Sequence, residues 1–175
     1  MGPYYITEAR EEHLPALGDI ERAAAALFPS GSIPEHVRLE TLPLRFLREG
    51  ISDGTLWVAL LGQCPVGYAL LRQTGGIALL AQIDVHPGHG RRGLGTALVR
   101  YAVEKAATLG HQAMYLTTFA HIPWNAPFYA KLGFVAQPVS EAPPVMRSII
   151  EDELAAGLKH RVIMRLGLQS HDQSA

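Results

Sequence analysis

This sequence of 175 residues has little cysteine, little excess of charge of either sign and no long apolar run. Its single cysteine, Cys64, cannot form an internal disulfide or a cysteine-based metal cluster. A formal net charge of −1 does not suggest the basic surface that a nucleic-acid partner requires. No apolar run approaches membrane-spanning length, and no signal peptide begins the chain. These absences predict a cytoplasmic protein without a metal, a membrane partner or a nucleic-acid partner.

The rest of the composition is typical of a globular protein. Apolar residues make up 48% of the chain and charged residues 18%. A chain of this length can bury a substantial core. We expect one domain over residues 1–167, followed by a polar, disordered tail over residues 168–175.

A glycine-rich stretch, Gln82–Thr96, is the most informative part of the sequence. An apolar strand ends at Val85, four glycines and the pair Arg91 and Arg92 follow, and a periodic helix begins near Leu94. Backbone N–H groups at such a strand-to-helix turn can bind an anion, and the arginines favour a phosphate or pyrophosphate. The alternative is a glycine-rich turn that binds nothing.

Two common phosphate-binding motifs are absent from this stretch. In a Walker A loop, Leu94 would have to be lysine and Gly95 would have to be serine or threonine. In a dinucleotide-binding fingerprint, Leu98 would have to be glycine or alanine. ATP, GTP and NAD chemistry are therefore disfavoured, which leaves another ligand that contains a pyrophosphate.

Two blocks of sequence resemble the GNAT superfamily of acyl-CoA-dependent N-acyltransferases. The first block combines Val85-His86-Pro87 with the run Arg91–Leu98, and the second is Asn125–Phe134. The resemblance implies a mixed α/β fold in which an antiparallel meander is followed by a parallel crossover, with helices flanking the sheet. It also implies acetyl-CoA as the acyl donor and a small-molecule or protein amine as the acceptor. One departure is Gly90, which stands where the family usually has glutamine or arginine.

The resemblance assigns coenzyme A contacts along the first block and its preceding strand. Backbone groups near Ile83 and Val85 would contact the acyl and pantetheine portion, and the loop would wrap the pyrophosphate. Asn125 in the second block could also reach coenzyme A, although its residue type and position favour a helix N-cap. The implied binding residues are Ile83, Val85, Gly90, Arg91, Arg92, Gly93, Leu94, Gly95, Thr96 and Asn125.

The resemblance also gives Tyr129 the role of general acid towards the leaving thiolate of coenzyme A. The alternative for Tyr129 is a tyrosine of the core. Asp84 is a candidate general base because it is the only carboxylate on the strand that precedes the loop. Its alternative is a strand-end aspartate bonded to backbone N–H groups. His121 is a second candidate base, and it could equally be an ordinary loop residue.

The remaining segments predict further strands and helices around these motifs. Strand patterns cover 4–8, 55–61, 65–73, 77–85, 113–119 and 161–166, with a further strand restarting at Phe134-Val135, and helical patterns cover about 14–27, 34–48, 94–109, a short stretch after Asn125 and 145–158. Pro43 is expected to split the second helix. The 145–158 helix is additional to the shorter family pattern, and we expect it to shape the acceptor pocket or a homodimer contact. Four acidic residues of the early helices are expected to lie on a solvated face: Glu21, Glu35, Glu40 and Asp53. The alternative that the resemblance implies is that these helices form part of the acceptor pocket and that the four carboxylates favour a cationic amine.

The sequence therefore predicts an N-acetyltransferase that moves an acetyl group from acetyl-CoA to an amine by direct attack. An alternative is a non-catalytic acyl-CoA-binding or regulatory module that keeps the loop and lacks the acceptor chemistry. A nucleotide-binding protein without acyl chemistry is disfavoured by the missing Walker lysine.

Overall fold

Seven strands form one mixed sheet in the computed structural model, which describes residues 3–169. The strands are β1 (Tyr4–Glu8), β2 (Leu56–Leu61), β3 (Cys64–Thr74), β4 (Ile77–Val85), β5 (Ala113–Phe119), β6 (Val135–Gln137) and β7 (Arg161–Gly167). Their order across the sheet is β1-β2-β3-β4-β5-β7-β6. The pairs β1–β2, β2–β3, β5–β7 and β6–β7 are antiparallel, and β4–β5 is parallel. The predicted mixed α/β class with a parallel crossover is confirmed.

Six α-helices accompany the strands within residues 3–169. They are α1 (Leu14–Ala25), α2 (Glu35–Leu39), α3 (Leu44–Asp53), α4 (Leu94–Thr108), α5 (Ala126–Lys131) and α6 (Pro144–Ala155). None of these helices has the length and apolar character needed to cross a membrane. Residues 170–175, the end of the predicted disordered tail, lie outside the described residues.

The chain divides into two compact units. The first unit comprises Met1–Arg72 and Leu80–Glu104, and the second comprises Gln73–Leu79 and Lys105–Ala175. In the first unit, α1 covers one face of β2 and β3. Buried side chains of that helix pack with buried side chains of the strands, namely Leu14, Leu17 and Ile20 with Leu56, Val58, Tyr68 and Leu70. This packing fixes the helix that carries Glu21 above the strand that precedes β4.

The helical region after α1 breaks where the sequence predicts. Pro43 has no backbone N–H to donate, and it lies directly before α3. Gly54 then ends α3 with a φ of 63°, which is the left-handed conformation that glycine adopts without a steric penalty. The predicted helix over 34–48 is therefore two helices, α2 and α3, and the second extends to Asp53.

In the second unit, β7 lies between β5 and β6 in the sheet. Residues Ala113 to Phe119 of β5 pair with Gly167 to Arg161 of β7 in an unbroken antiparallel register. The predicted 145–158 helix is present as α6, and it connects β6 to β7. The first helix, predicted over about 14–27, ends at Ala25, and Leu27 beyond it is 53% exposed.

Candidate functional site

The glycine-rich loop connects the end of β4 to the start of α4 within the first unit. After Val85 the chain forms a single 3₁₀ turn over Pro87–His89. The Nδ1 atom of His86 accepts a hydrogen bond of 3.1 Å from the backbone N–H of Gly88, which fixes the start of this turn. Residues Gly90 to Gly93 are exposed. A ligand can therefore reach the loop backbone from solvent.

The backbone of the loop is left-handed at Arg91 and at Gly93. Their φ angles are 58° and 78°, respectively. Gly90, which precedes them, is extended with a φ of −65° and a ψ of 165°. Left-handed residues in a turn aim successive N–H groups into an anion-binding concavity, and the strain at a non-glycine residue is typical of functional sites. One of the two left-handed positions is therefore an arginine and the other is a glycine.

The first turn of α4 adds further hydrogen-bond donors. Ala97 N–H donates to the carbonyl oxygen of Gly93 at 3.0 Å, the i to i−4 bond of an α-helix. The N–H groups of Leu94, Gly95 and Thr96 precede that bond and have no acceptor within the helix. The helix of 15 residues also places partial positive charge at this end. Together with the exposed Arg91 and Arg92 side chains, these donors form a site suited to a pyrophosphate.

Asp84 lies one residue before the end of β4, in the same unit as the loop. Its Oδ2 atom accepts a hydrogen bond of 2.6 Å from Nε2 of Gln82. Burial raises the pKa of the Asp84 carboxyl to about 7, against the opposing effect of the Gln82 hydrogen bond and with help from the negative charge of Glu21. A carboxylate with a pKa near neutrality is well matched to taking up a proton at physiological pH.

The neighbouring strand places Tyr68 beside Asp84. The N–H of His86 donates to the carbonyl oxygen of Val66 at 2.8 Å, so these two residues face each other across β3 and β4. A Cβ atom on Gly67 would lie 3.4 Å from Cα of Val85 and only 3.0 Å from the carbonyl oxygen of Asp84. Continuing that antiparallel register by one residue sets Tyr68 opposite Asp84. Glycine at 67 is what permits the close approach of the two strands next to the acid.

The structure gives Glu21 a different environment from the one that the sequence favours. The expectation that it lies on a solvated helix face is wrong, since Glu21 is only 7% exposed. Its Oε1 atom accepts a hydrogen bond of 2.5 Å from the Tyr68 hydroxyl, and its Oε2 atom accepts one of 2.9 Å from the Leu42 N–H. Burial raises the pKa of the Glu21 carboxyl, although both hydrogen bonds oppose the increase. The other three acidic residues of that set, Glu35, Glu40 and Asp53, are exposed as expected.

Tyr68 connects the two acids of the first unit. The side chain is fully buried, and burial together with the charges of Glu21 and Asp84 raises the pKa of its hydroxyl far above the ordinary tyrosine value. The hydroxyl therefore stays protonated and can donate to Glu21 throughout the physiological range. The result is a buried acidic group of Glu21, Tyr68 and Asp84 on α1, β3 and β4.

The second unit holds the residues of the other sequence block. Tyr129 lies on α5 and is partly buried, so it is not a residue of the closed core. Its ring makes edge contacts with the rings of Phe128 at 5.0 Å and Phe134 at 5.8 Å between centroids. Phe128 and Leu132 are themselves only partly buried. The aromatic contacts hold the orientation of the Tyr129 ring.

Asn125 has a different role from the N-cap that its sequence position predicts. It is the residue before α5, but its side chain makes no capping hydrogen bond. Instead, its Oδ1 atom accepts a hydrogen bond of 2.8 Å from the Thr118 hydroxyl near the end of β5. Asn125 therefore ties the start of α5 to β5.

His121 is exposed and packs against two other rings of the second unit. Its ring centroid lies 4.7 Å from that of His160 and 6.0 Å from that of Phe119. Nearby, Arg161 binds both carboxylate oxygens of Glu153, at 2.9 and 3.0 Å. Over residues 3–169, no group of three or more histidine, cysteine, aspartate or glutamate side chains is arranged to hold a metal ion.

Comparison with known proteins agrees with this geometry. A mycothiol acetyltransferase from Parafrankia sp. (strain EAN1pec) is 42% identical over 88 residues, which is 48% of this chain. The match spans about a quarter (24%) of the length of that relative.

Solved structures share the fold at low sequence identity. N-acetylglutamate synthase from Neisseria gonorrhoeae, complexed with coenzyme A and N-acetyl-glutamate, has a TM-score of 0.74 and 17% identity over 97% of this chain and 36% of its own. PaiA N-acetyltransferase from Thermoplasma acidophilum, in complex with coenzyme A, has a TM-score of 0.66 and 15% identity over 94% of this chain and 99% of its own.

The family assignment rests on a direct match of sequence. The family profile described as the acetyltransferase (GNAT) family matches residues 19–134, a range that includes the second half of α1, the loop, α4 and Tyr129. The resemblance found in the two sequence blocks is thus confirmed, and this chain belongs to the GNAT acetyltransferase family.

Proposed function

We propose that this protein is an N-acetyltransferase that transfers the acetyl group of acetyl-CoA to an amine. The observation that carries the proposal is the exposed loop with left-handed Arg91 and Gly93 at the start of α4. The family assignment supports it, as do the coenzyme A complexes of the two structural relatives. The relatives' names point to different acceptors, so the acceptor is assigned only as an amine.

The loop and the end of β4 would hold the coenzyme A portion of the donor. The N–H groups from Gly90 to Thr96 and the two arginine side chains would bind the pyrophosphate. The backbone near Ile83 and Val85 would contact the pantetheine and acyl portion, and a donor near Val85 would polarise the thioester carbonyl. Asn125 is retained only as a secondary coenzyme A contact, because its amide oxygen is bonded to Thr118.

The proposed reaction is one direct acyl transfer. The neutral amine nitrogen attacks the thioester carbon, a C–N bond forms, and the C–S bond breaks to release the thiolate of coenzyme A. Asp84, directly or through a water, takes the proton that the amine nitrogen loses. Tyr129 is proposed to donate a proton or hydrogen bond to the thiolate. The two proton transfers leave an amide and the free thiol as products.

The raised pKa of Asp84 favours this catalytic role over a non-catalytic acyl-CoA-binding module. Burying a carboxyl group with a pKa of about 7 has a cost in stability at neutral pH, and groups with such pKa values are concentrated at sites that move protons. A single domain over residues 1–167, a cytoplasmic location and a homodimer contact at α6 are retained as parts of the proposal. They rest on the sequence and the family resemblance.

Calorimetric titration with acetyl-CoA tests the proposed donor site. We expect saturable binding in the micromolar range, about −8 kcal/mol. The double variant Arg91→Asn with Arg92→Gln removes both charges and keeps a residue that tolerates the left-handed conformation at position 91. It should weaken binding at least about tenfold, because charge-assisted hydrogen bonds to the pyrophosphate are lost. Arg100→Gln, on an exposed turn of α4, serves as the control and should bind like the wild type. Absence of wild-type binding at several temperatures would contradict the proposal.

The substitution Tyr129→Phe tests the proposed acid. We expect kcat, measured as coenzyme A release with an accepted amine from a broad panel, to fall at least about tenfold. The dissociation constant for acetyl-CoA should stay within about twofold, because the aromatic contacts of the ring are kept. Tyr101→Phe, an exposed position of α4, is the matched control. Equal losses of turnover and donor affinity would show that Tyr129 has a structural role.

The pH dependence of stability tests the environment of Asp84 without any substrate. A carboxyl whose pKa rises from 3.8 to about 7 on folding binds its proton more tightly in the folded state. Its contribution to stability is therefore full below pH 4, declines as the pH rises towards 7, and is constant above that.

Between pH 4 and 7, the free energy of unfolding of the wild type should accordingly fall relative to that of Asp84→Asn, in which side chain 84 stays neutral. Denaturant unfolding at a series of pH values measures this difference, with the exposed Asp53→Asn as the control. Parallel curves for the wild type and Asp84→Asn would show that Asp84 titrates normally and is not tuned as a base.

A further inference from the structure

Tyr4, near the beginning of the chain, contacts the loop proposed to bind pyrophosphate. Its hydroxyl oxygen lies 3.0 Å from Nδ1 of His89, which is 85 positions further along the chain. The two rings also meet edge to face, with 5.9 Å between their centroids. This contact links β1 to the 3₁₀ turn of the loop within the first unit.

Tyr4 also touches the cationic part of the loop. The guanidinium carbon of Arg92 lies 5.7 Å from the centroid of the Tyr4 ring, within the range of a cation–π interaction. His89 in turn meets His86 edge to face at 5.9 Å, and His86 bonds the Gly88 N–H. One tyrosine side chain therefore contacts both the 3₁₀ turn and one of the proposed phosphate-binding arginines.

The contact joins a strand that is paired into the sheet to a loop with little hydrogen-bonded structure of its own. All five residues of β1 pair with β2, and Tyr4 is opposite Leu61. The loop, by contrast, has a single 3₁₀ turn of three residues, and short 3₁₀ turns have poor hydrogen-bond geometry. A side chain that fixes such a loop before the ligand arrives raises affinity by reducing the ordering that binding requires.

We propose that Tyr4 is a positioning residue that holds the 3₁₀ turn and Arg92 in the geometry that binds the pyrophosphate of acetyl-CoA. The inference rests on the proposed function of the loop. Tyr4 acts through His89 and Arg92, and it needs no contact with the ligand. The adjacent Tyr5 provides a matched comparison, because its hydroxyl donates to the carbonyl oxygen of Gly62 in a surface turn.

Calorimetric titration with acetyl-CoA of Tyr4→Phe and Tyr5→Phe tests the proposal. Tyr4→Phe keeps the ring over Arg92 and removes only the hydroxyl, and we expect the dissociation constant to rise about fivefold. Tyr5→Phe should bind like the wild type. In a His89→Ala background, Tyr4→Phe should cause no further loss, because the two residues act through one contact. The melting temperatures of Tyr4→Phe and Tyr5→Phe should match.

Amide hydrogen exchange of the ligand-free protein provides a second readout. Tyr4→Phe should accelerate exchange at the amides of His89 and Gly90, whose N–H groups form the 3₁₀ turn, and Tyr5→Phe should not. If the wild type binds acetyl-CoA and Tyr4→Phe binds it with the same dissociation constant, the inference is overturned and the proposed function stays intact. An absence of acetyl-CoA binding by the wild type would overturn the proposed function. The inference about Tyr4 would then fail as well, even if hydrogen exchange showed that Tyr4 stabilises the loop. The inference would also be overturned if the losses of affinity caused by Tyr4→Phe and His89→Ala simply added in the double variant.

Discussion

The N–H groups at the start of α4 impose the central constraint on this structure. Leu94, Gly95 and Thr96 come before Ala97, whose N–H makes the first hydrogen bond within the helix, and such donors must bind solvent, a side chain or a ligand. The loop before them is exposed, has a left-handed backbone at two positions and contains two adjacent arginines. A turn that only reversed the chain would not need this concentration of positive potential. The strand, the 3₁₀ turn and the helix together keep the donors accessible to an anion.

A second constraint is the burial of two carboxyl groups in the same unit. Glu21 is buried and Asp84 is partly buried, and each has a pKa above its ordinary value. Tyr68 contributes a hydrogen bond to one acid and stands beside the other, so neither carboxyl is left among apolar groups alone. Environments of this kind are common where a protein moves protons, because an acid with a pKa near neutrality both accepts and releases them readily. Asp84 on β4 and the loop proposed to bind the pyrophosphate are consecutive in sequence, so the proposed proton acceptor is next to the proposed donor site.

The sequence predicted the fold and the loop well because both depend on local patterns. Apolar runs predict β2 and β3, and Ala81, Ile83 and Val85 alternate with polar residues at the end of β4. Pro43 marks the helix break, and Gly110 follows α4 with a φ of 84°. Glu21 could not be predicted in the same way, since its partner Tyr68 is 47 positions away and its burial depends on tertiary packing. The left-handed backbone of Arg91 could not be predicted from the sequence either, because arginine rarely adopts that conformation.

For Asn125, the local pattern predicts a contact that does not form. Asparagine commonly caps helices, but the Asn125 side chain is bonded to Thr118 instead. Tyr129 lies where the resemblance predicts, on a short helix with its ring held by Phe128 and Phe134. Its proposed chemistry remains a prediction that rests on the family.

The most direct measurement for the central claim is amide NMR of the loop in the presence of two ligands. Acetyl-CoA carries the pyrophosphate, and S-acetylpantetheine has the same thioester without it. The account predicts that acetyl-CoA shifts the amide resonances of Arg91 to Thr96 strongly, whereas S-acetylpantetheine leaves them nearly unchanged. Unchanged loop amides with saturating acetyl-CoA, or equal shifts with both ligands, would contradict the assignment of this loop as a pyrophosphate site.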